Sequence, residues 1–307
     1  MSAIRIENLS KTYRGSWTGK SGVAALRNLS LEVHEGEVFG FLGPNGAGKT
    51  TTIHLLLDLM RPTSGSAHLF DRPAGDAVVR RRLGYLPESV NLHDYYSGRG
   101  LLEFYATLTD VPRAARAGRI DALLKMLKLE DAASRPVTKY SKGMLQRLGF
   151  AQALLHEPDL IVLDEPTSSL DPVGRKEFRE ILLQLKRQGK TVFISSHILS
   201  EVESVCDRVA IMEKGELKRI GTLQELSAPK SVKLIVRGIR GALIEALAAT
   251  PAEITFAREE VVIKCADEAT RGLVEKLLAE GQVTIERTEV ETQSLEDIFF
   301  SAINPRK

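Results

Sequence analysis

The sequence predicts an α/β fold carried on a buried, mixed and largely parallel sheet, followed by a smaller α+β unit. Three observations lead there. Two short, wholly apolar runs, Val38–Leu42 and Leu160–Leu163, read as strands covered on both faces, because neither alternates. Each run ends in residues suited to ligand binding, a glycine-rich turn after the first and paired carboxylates after the second. From residue 231 the order becomes strand, helix, strand, strand, helix, strand, which is that of a ferredoxin-like fold.

Composition narrows the field. A chain of 307 residues with 43% hydrophobic and 27% charged content suits one large or two ordinary globular domains. A net charge of +2 gives no reason to expect nucleic acid as a partner, and Arg80-Arg81-Arg82 reads as solvated surface. Two distant cysteines, Cys206 and Cys265, have no metal-type spacing and read as buried apolar residues in a reducing compartment. The N-terminus lacks the apolar core of a signal peptide, and no run of about 18 apolar residues is present. Any link to a membrane is therefore expected to come through a partner.

Residues 3–8 alternate like an edge strand, and Val23–Val33 is a second candidate. Between them a polar loop carries Tyr13 and Trp17, either of which could stack on a flat base; Tyr13 is preferred. Gly43-Pro44-Asn45-Gly46-Ala47-Gly48-Lys49-Thr50-Thr51 lies between the Val38–Leu42 strand and a helix-like segment, Thr51–Met60. That is the context of a phosphate-binding P-loop. Its glycines allow backbone N–H groups to turn around phosphate oxygens, and the helix adds unpaired N–H groups and a positive dipole end. Lys49 is placed to reach the β- and γ-phosphates, and the Thr50 hydroxyl to bind Mg²⁺.

After a turn at Arg61–Ser66, Leu83–Leu86 is a short strand running into Pro87-Glu88. Leu101, Leu102, Tyr105 and Leu108, then Ile120, Leu123, Leu124 and Leu127, recur at helical spacing and mark a helical insertion. Ser141 is placed to cap a helix whose face carries Met144, Leu148, Ala151 and Leu155. The strand Leu160–Leu163 delivers Asp164 and Glu165 to the rim that carries the P-loop, Asp164 for Mg²⁺ and Glu165 for orienting and deprotonating water. Ser168–Pro172 is a turn before a helix with Phe178, Ile181, Leu182 and Leu185 inward, and the strand Lys190–Ser195 ends at His197. A histidine on that rim can hydrogen-bond a terminal phosphate. Val205–Gly221 reads as strand, Lys214-Gly215 turn and strand, and a last helix opens at Ser294-Leu295-Glu296-Asp297.

In this order the pieces resemble the nucleotide-binding subunit of an ATP-binding cassette (ABC) transporter. The matched elements are the Walker A motif Gly43–Thr51, the Gln-loop position at Glu88, the signature Tyr140–Met144, the Walker B motif Leu160–Glu165 and the switch histidine His197. The resemblance implies a P-loop NTPase cassette over residues 1–226, with an N-terminal antiparallel β subdomain and a helical subdomain at about 89–157. An accessory α+β domain over 231–307 follows, and its expected role is dimerisation or shielding, with ligand sensing as the rival. The family also implies Tyr13 as the adenine-stacking residue and Asp171 as the D-loop aspartate.

Two departures matter. The signature reads Tyr140-Ser141-Lys142-Gly143-Met144 instead of Leu-Ser-Gly-Gly-Gln, and Glu88 replaces an amide. Both, like the closing Ser294–Phe299 segment, resemble the branch that drives ABC-2-type exporters. The implied cofactors are ATP and Mg²⁺. The implied partners are a second copy in a head-to-tail ATP sandwich, where Ser141 and Gly143 meet the other copy's γ-phosphate, and a polytopic permease at the cytoplasmic face of the membrane. A soluble cassette ATPase acting on ribosomes or nucleic acid is the alternative; one cassette, two unpaired cysteines and a near-neutral charge weigh against it.

Overall fold

The apolar run Val38–Leu42 forms the strand β3 at the centre of the larger of two compact units in a computed structural model, which describes residues 1–13, 22–93, 95–226, 229–239, 241–257, 260–292 and 294–303. Contacts divide the chain between Leu223 and Gln224. Trp17 and the remainder of its loop, 14–21, lie outside the described residues.

In the first unit, β1 (Ser2–Tyr13) and β2 (Val23–His34) pair antiparallel, and β4 (Ser64–Leu69) joins the other side of β1, with β5 (Arg72–Pro73) beyond it. The residues 3–8 are therefore in a central strand, not an edge strand. That strand also runs on to Tyr13, well into the stretch expected to be loop. It does so through register shifts, with Asn8 at φ 47°. The turn expected at Arg61–Ser66 gives way to β4 from Ser64, whose Ser-Gly-Ser-Ala-His-Leu sequence has little strand character of its own. Its register on β1, with Ile4 opposite Leu69, supplies what the sequence does not.

The second sheet has the order β10-β9-β3-β8-β7-β6, from β6 (Leu83–Leu86), β7 (Leu160–Asp164), β8 (Thr191–Ser196), β9 (Arg208–Glu213) and β10 (Glu216–Thr222). Strands β9, β3, β8, β7 and β6 are mutually parallel, and β10 pairs antiparallel, so the sheet is mixed. Phe39, Phe41 and Phe193 are fully buried between the layers, with ring centroids 5.8 Å apart for Phe39–Phe193 and 5.2 Å for Phe41–Phe193. Burying each such ring contributes on the order of 2–3 kcal/mol. Parallel strands end on one rim, and that fact builds the site below.

The helices of this unit are α1 (Lys49–Leu56), α2 (Ala77–Arg80), α3 (Gly98–Leu108), α4 (Arg113–Met126), α5 (Lys142–Leu154), α6 (Pro172–Arg187) and α7 (Leu199–Glu203). α1 stops four residues short of Met60, where Asp58 takes φ 54°. Leu101 and Leu102 of α3 are buried as its spacing predicts, but Leu108, in its last turn, is exposed. The stretch after His197 holds α7, and the strand begins only at Arg208.

The second unit follows α8 (Leu223–Leu226), which crosses the boundary. It contains β11 (Pro229–Arg237), α9 (Ala242–Ala248), β12 (Glu253–Ala257), β13 (Glu260–Cys265), α10 (Glu268–Glu280), β14 (Ile285–Thr292) and α11 (Leu295–Ile303). Its sheet order, β12-β13-β11-β14 and antiparallel throughout, is the arrangement of a ferredoxin-like fold. Leu234, Val236, Ile263, Val274 and Leu278 form its core. Ser294 and Asp297 cap α11 reciprocally, the Ser294 hydroxyl accepting from the Asp297 N–H at 3.1 Å. Cys206 and Cys265 are free and buried, and burial pushes both thiols up.

Candidate active site

Adjacent parallel strands deliver the site. β3 leads into the glycine turn, β8 into Ser196-His197, β7 into Asp164-Glu165 and β6 into Pro87-Glu88. A cleft of about 740 Å³ opens on this rim. Tyr13, Pro44 to Thr51, Glu88, Glu165 and His197 line it, together with Lys214 at the end of β9.

The glycine turn is constrained at two positions. Gly46 has φ 80° and Gly48 φ 103°, backbone that L side chains rarely adopt. A Cβ on Gly48 would also lie 2.6 Å from the Ala25 carbonyl oxygen. The turn is buttressed from outside, since the Gly215 N–H donates to the Ala47 carbonyl at 3.0 Å and the Arg27 N–H to the Gly215 carbonyl at 2.9 Å. α1 starts at Lys49, so the helix's unpaired N–H groups point into the cleft-side turn.

Lys49 is buried. Its ammonium donates to the Gly43 carbonyl at 2.6 Å and lies 3.2 Å from Glu165 Oε1. Glu165, itself buried, places its other oxygen 2.8 Å from His197 Nδ1. One carboxylate thus links the lysine of the P-loop to the histidine. The Glu165 backbone is left-handed, φ 46°, at a cost of roughly 1–3 kcal/mol that its surroundings must offset. Ser195 supplies part of that support. The Ser195 Oγ accepts from the Glu165 N–H at 3.1 Å and donates to Asp164 Oδ1 at 2.6 Å. Asp164 is almost fully buried and is not part of the cleft wall. Ser195 is not among the residues that the motifs single out, although two serines closing an apolar strand mark its place.

The donor set fits a hard divalent cation. Thr50, Glu88 and Glu165 line the cleft with oxygen-bearing side chains, Glu165 Oε1 lying buried beside the Lys49 ammonium. Among the described residues no group of three or more His, Cys, Asp or Glu could hold a metal alone, so phosphate oxygens would complete the shell. Asp164 and Glu88 both act on the Tyr85 phenol, which is pushed up to about 12 by burial first and by these two carboxylates after it.

Tyr13 is partly exposed at the mouth, its hydroxyl 3.3 Å from Thr51 Oγ1. Ser141, Gly143 and Asp171 do not reach this cleft. They line a separate depression of about 560 Å³ with Lys128, Met144 and Arg147. Ser141 caps α5, accepting from the Met144 N–H at 3.2 Å, and Asp171 caps α6, accepting from the Gly174 N–H at 2.7 Å. The unit thus presents the Lys49 cleft and, elsewhere, a serine-capped helix end.

A P-loop, two carboxylates after a parallel strand and a histidine on the neighbouring strand define a P-loop nucleoside-triphosphatase cassette. The family model described as "ABC transporter" matches residues 26–168. An uncharacterized ABC transporter ATP-binding protein, all4389 of Nostoc sp., is 48% identical over 227 residues, covering 73% of this chain and 68% of the relative. The bacitracin transport ATP-binding protein BcrA of Bacillus licheniformis is 39% identical over 70% of this chain and 68% of its own. A solved dimeric ATP-binding cassette in a post-hydrolysis state, bound to ADP and Pi, superposes with a TM-score of 0.66 at 27% identity, over 72% of this chain and 98% of that one. This chain belongs to the ABC transporter ATP-binding family. It is an ABC-type ATPase, and ATP is its nucleotide.

Proposed function

We propose that this chain powers an ABC-2-type exporter as a head-to-tail pair, each ATP held between one copy's P-loop and the other's Ser141 helix end. The observation that carries this reading is the separation within one chain of two halves that suit one ligand. The Lys49 cleft grips phosphate from one side, while Ser141, Gly143 and Asp171 line a depression of their own. An α-helix N-terminus with a serine cap is an anion site, and a γ-phosphate is the anion available. The dimeric state of the solved relative and the transport role in the name of BcrA support the same reading.

In the closed pair Lys49 neutralises charge developing on the phosphates, and Tyr13 packs on adenine. Glu165 accepts a proton from the attacking water, and His197, hydrogen-bonded to Glu165, contacts the γ-phosphate. Thr50 and Glu88, with Asp164 behind them, would hold Mg²⁺, which supplies further neutralisation of the triphosphate. ATP favours the closed state because only that state completes the site, and hydrolysis removes the link. Among the described residues no helix is long and apolar enough to cross a membrane. In this reading, which the transport role in the name of BcrA supports, a polytopic permease supplies the membrane part, and this chain docks at its cytoplasmic face, with the helical subdomain after Glu88 as the coupling element. For the second unit we propose dimerisation or shielding of the cassette.

Complementation tests the shared site. Lys49→Ala and Ser141→Arg each leave one half of every site defective. Mixing them forms hybrid pairs with one intact site, and a two-fold symmetric pair then recovers roughly a quarter of the wild-type ATPase rate. No recovery in a mixture that still pairs refutes the composite site.

A further inference from the structure

Glu201 lines neither the Lys49 cleft nor the Ser141 depression, yet its contacts tie it to the Glu165 segment. It sits on α7, four residues beyond His197, with a side chain 17% exposed. Its Oε2 accepts a hydrogen bond from the hydroxyl of Thr167, a buried residue two positions after Glu165. Its Oε1 lies 3.6 Å from Arg175 Nε, which itself donates to the Leu170 carbonyl at 3.2 Å. α7 is a firm anchor, because fully buried Val202 packs where β3 carries Gly40; a Cβ there would meet Val202 Cγ1 at 2.6 Å.

These contacts close a ring. From Glu165 the chain runs to Thr167, across a hydrogen bond to Glu201, back along α7 to His197, and across 2.8 Å to Glu165 again. Glu165 is thereby held on both sides of its left-handed residue, by Ser195 at its N–H and by Thr167 beyond Pro166. An unfavourable backbone angle persists only where neighbours over-determine it.

We infer that Glu201 is a positioning residue for hydrolysis, fixing the separation of Glu165 and His197 through Thr167. The inference rests on Glu165 acting on the attacking water. It makes Glu201 act on the chemical step, through the cleft-wall residues Glu165 and His197, and not on the P-loop's hold of the phosphates.

The test measures ATPase kinetics and hydrogen exchange on the full chain. Glu201→Ala and Thr167→Val each lower kcat roughly 10- to 100-fold, the range expected from a small displacement of a reacting group, with KM for ATP within about twofold. Thr167→Ser restores kcat, and the double variant is no worse than Glu201→Ala alone, because both single changes remove the same Thr167–Glu201 bond and Glu201→Ala also removes the Arg175 pair. Glu201→Gln keeps an acceptor oxygen for the Thr167 hydroxyl and stays near the wild-type rate. Exchange in the 165–170 segment rises in Thr167→Val and Glu201→Ala, an effect independent of which group is the base. An unchanged kcat in folded Thr167→Val, a parallel loss of kcat and ATP affinity, or a Glu201→Gln as slow as Glu201→Ala overturns the assignment. If Glu165→Gln keeps turning over ATP while exchange still rises in the brace variants, the base assignment fails and the brace stands.

Discussion

Replacing Glu165 by Gln removes one charge from the centre of the site while keeping its shape. The amide oxygen can still pair with His197, which sits 2.8 Å from the native carboxylate. What goes is proton affinity, and with it the attraction to Lys49. At 3.2 Å and an effective dielectric near 20, that attraction is about 5 kcal/mol before desolvation is subtracted. The carboxylate therefore competes with a triphosphate for the lysine. Glu165→Gln is expected to bind ATP as tightly as the wild type or more so. A positioned general base is worth about 10²- to 10⁴-fold, or roughly 3–5 kcal/mol of barrier, so kcat should fall by that factor.

Isothermal titration gives the affinity and phosphate release gives the rate. Size-exclusion chromatography with ATP and Mg²⁺ should show a dimer that persists, because its bridging nucleotide is not consumed. Turnover within about tenfold of wild type would remove Glu165 as the base. A large loss of ATP affinity would instead make it part of the binding wall, and the competition argument with Lys49 would be wrong.

Two more outcomes are expected, one from a carboxylate of the cleft wall and one from a carboxylate paired with Lys128 and Arg147. Glu88→Gln replaces an ionised oxygen on the cleft wall with a neutral one, and should raise the Mg²⁺ concentration for half-maximal ATPase several-fold; an unchanged value excludes a metal role. Glu177 bonds Lys128 Nζ and Arg147 Nη2, each at 2.7 Å, and these cations, Lys128 foremost, hold its carboxyl below the usual 4.5. Its contribution is present above that value and is lost as pH falls through the depressed one. Glu177→Gln should therefore melt a few degrees lower at pH 7 and lose less stability than wild type between pH 4.5 and 3, as scanning calorimetry would show.

Much of this site was legible because parallel strands encode their own depth. Val38–Leu42 and Leu160–Leu163 are unbroken apolar runs, and whatever follows such a run must emerge on the ligand rim. The same logic places Glu88 and His197, since β6 and β8 end there too. What stays hidden is lateral order. Nothing in the runs says that β8 lies between β3 and β7, yet that order sets His197 and Ser195 against the Glu165 segment. β4 was hidden for a related reason. Its serines and glycine favour a turn, and only the facing residues of β1 make it a strand. Thr167 and Glu201 look like ordinary turn and helix residues until the fold brings the two segments side by side. Chemistry that ends a strand can be read along the chain. The contacts that hold that chemistry in position run across the sheet, and they depend on which strands are neighbours.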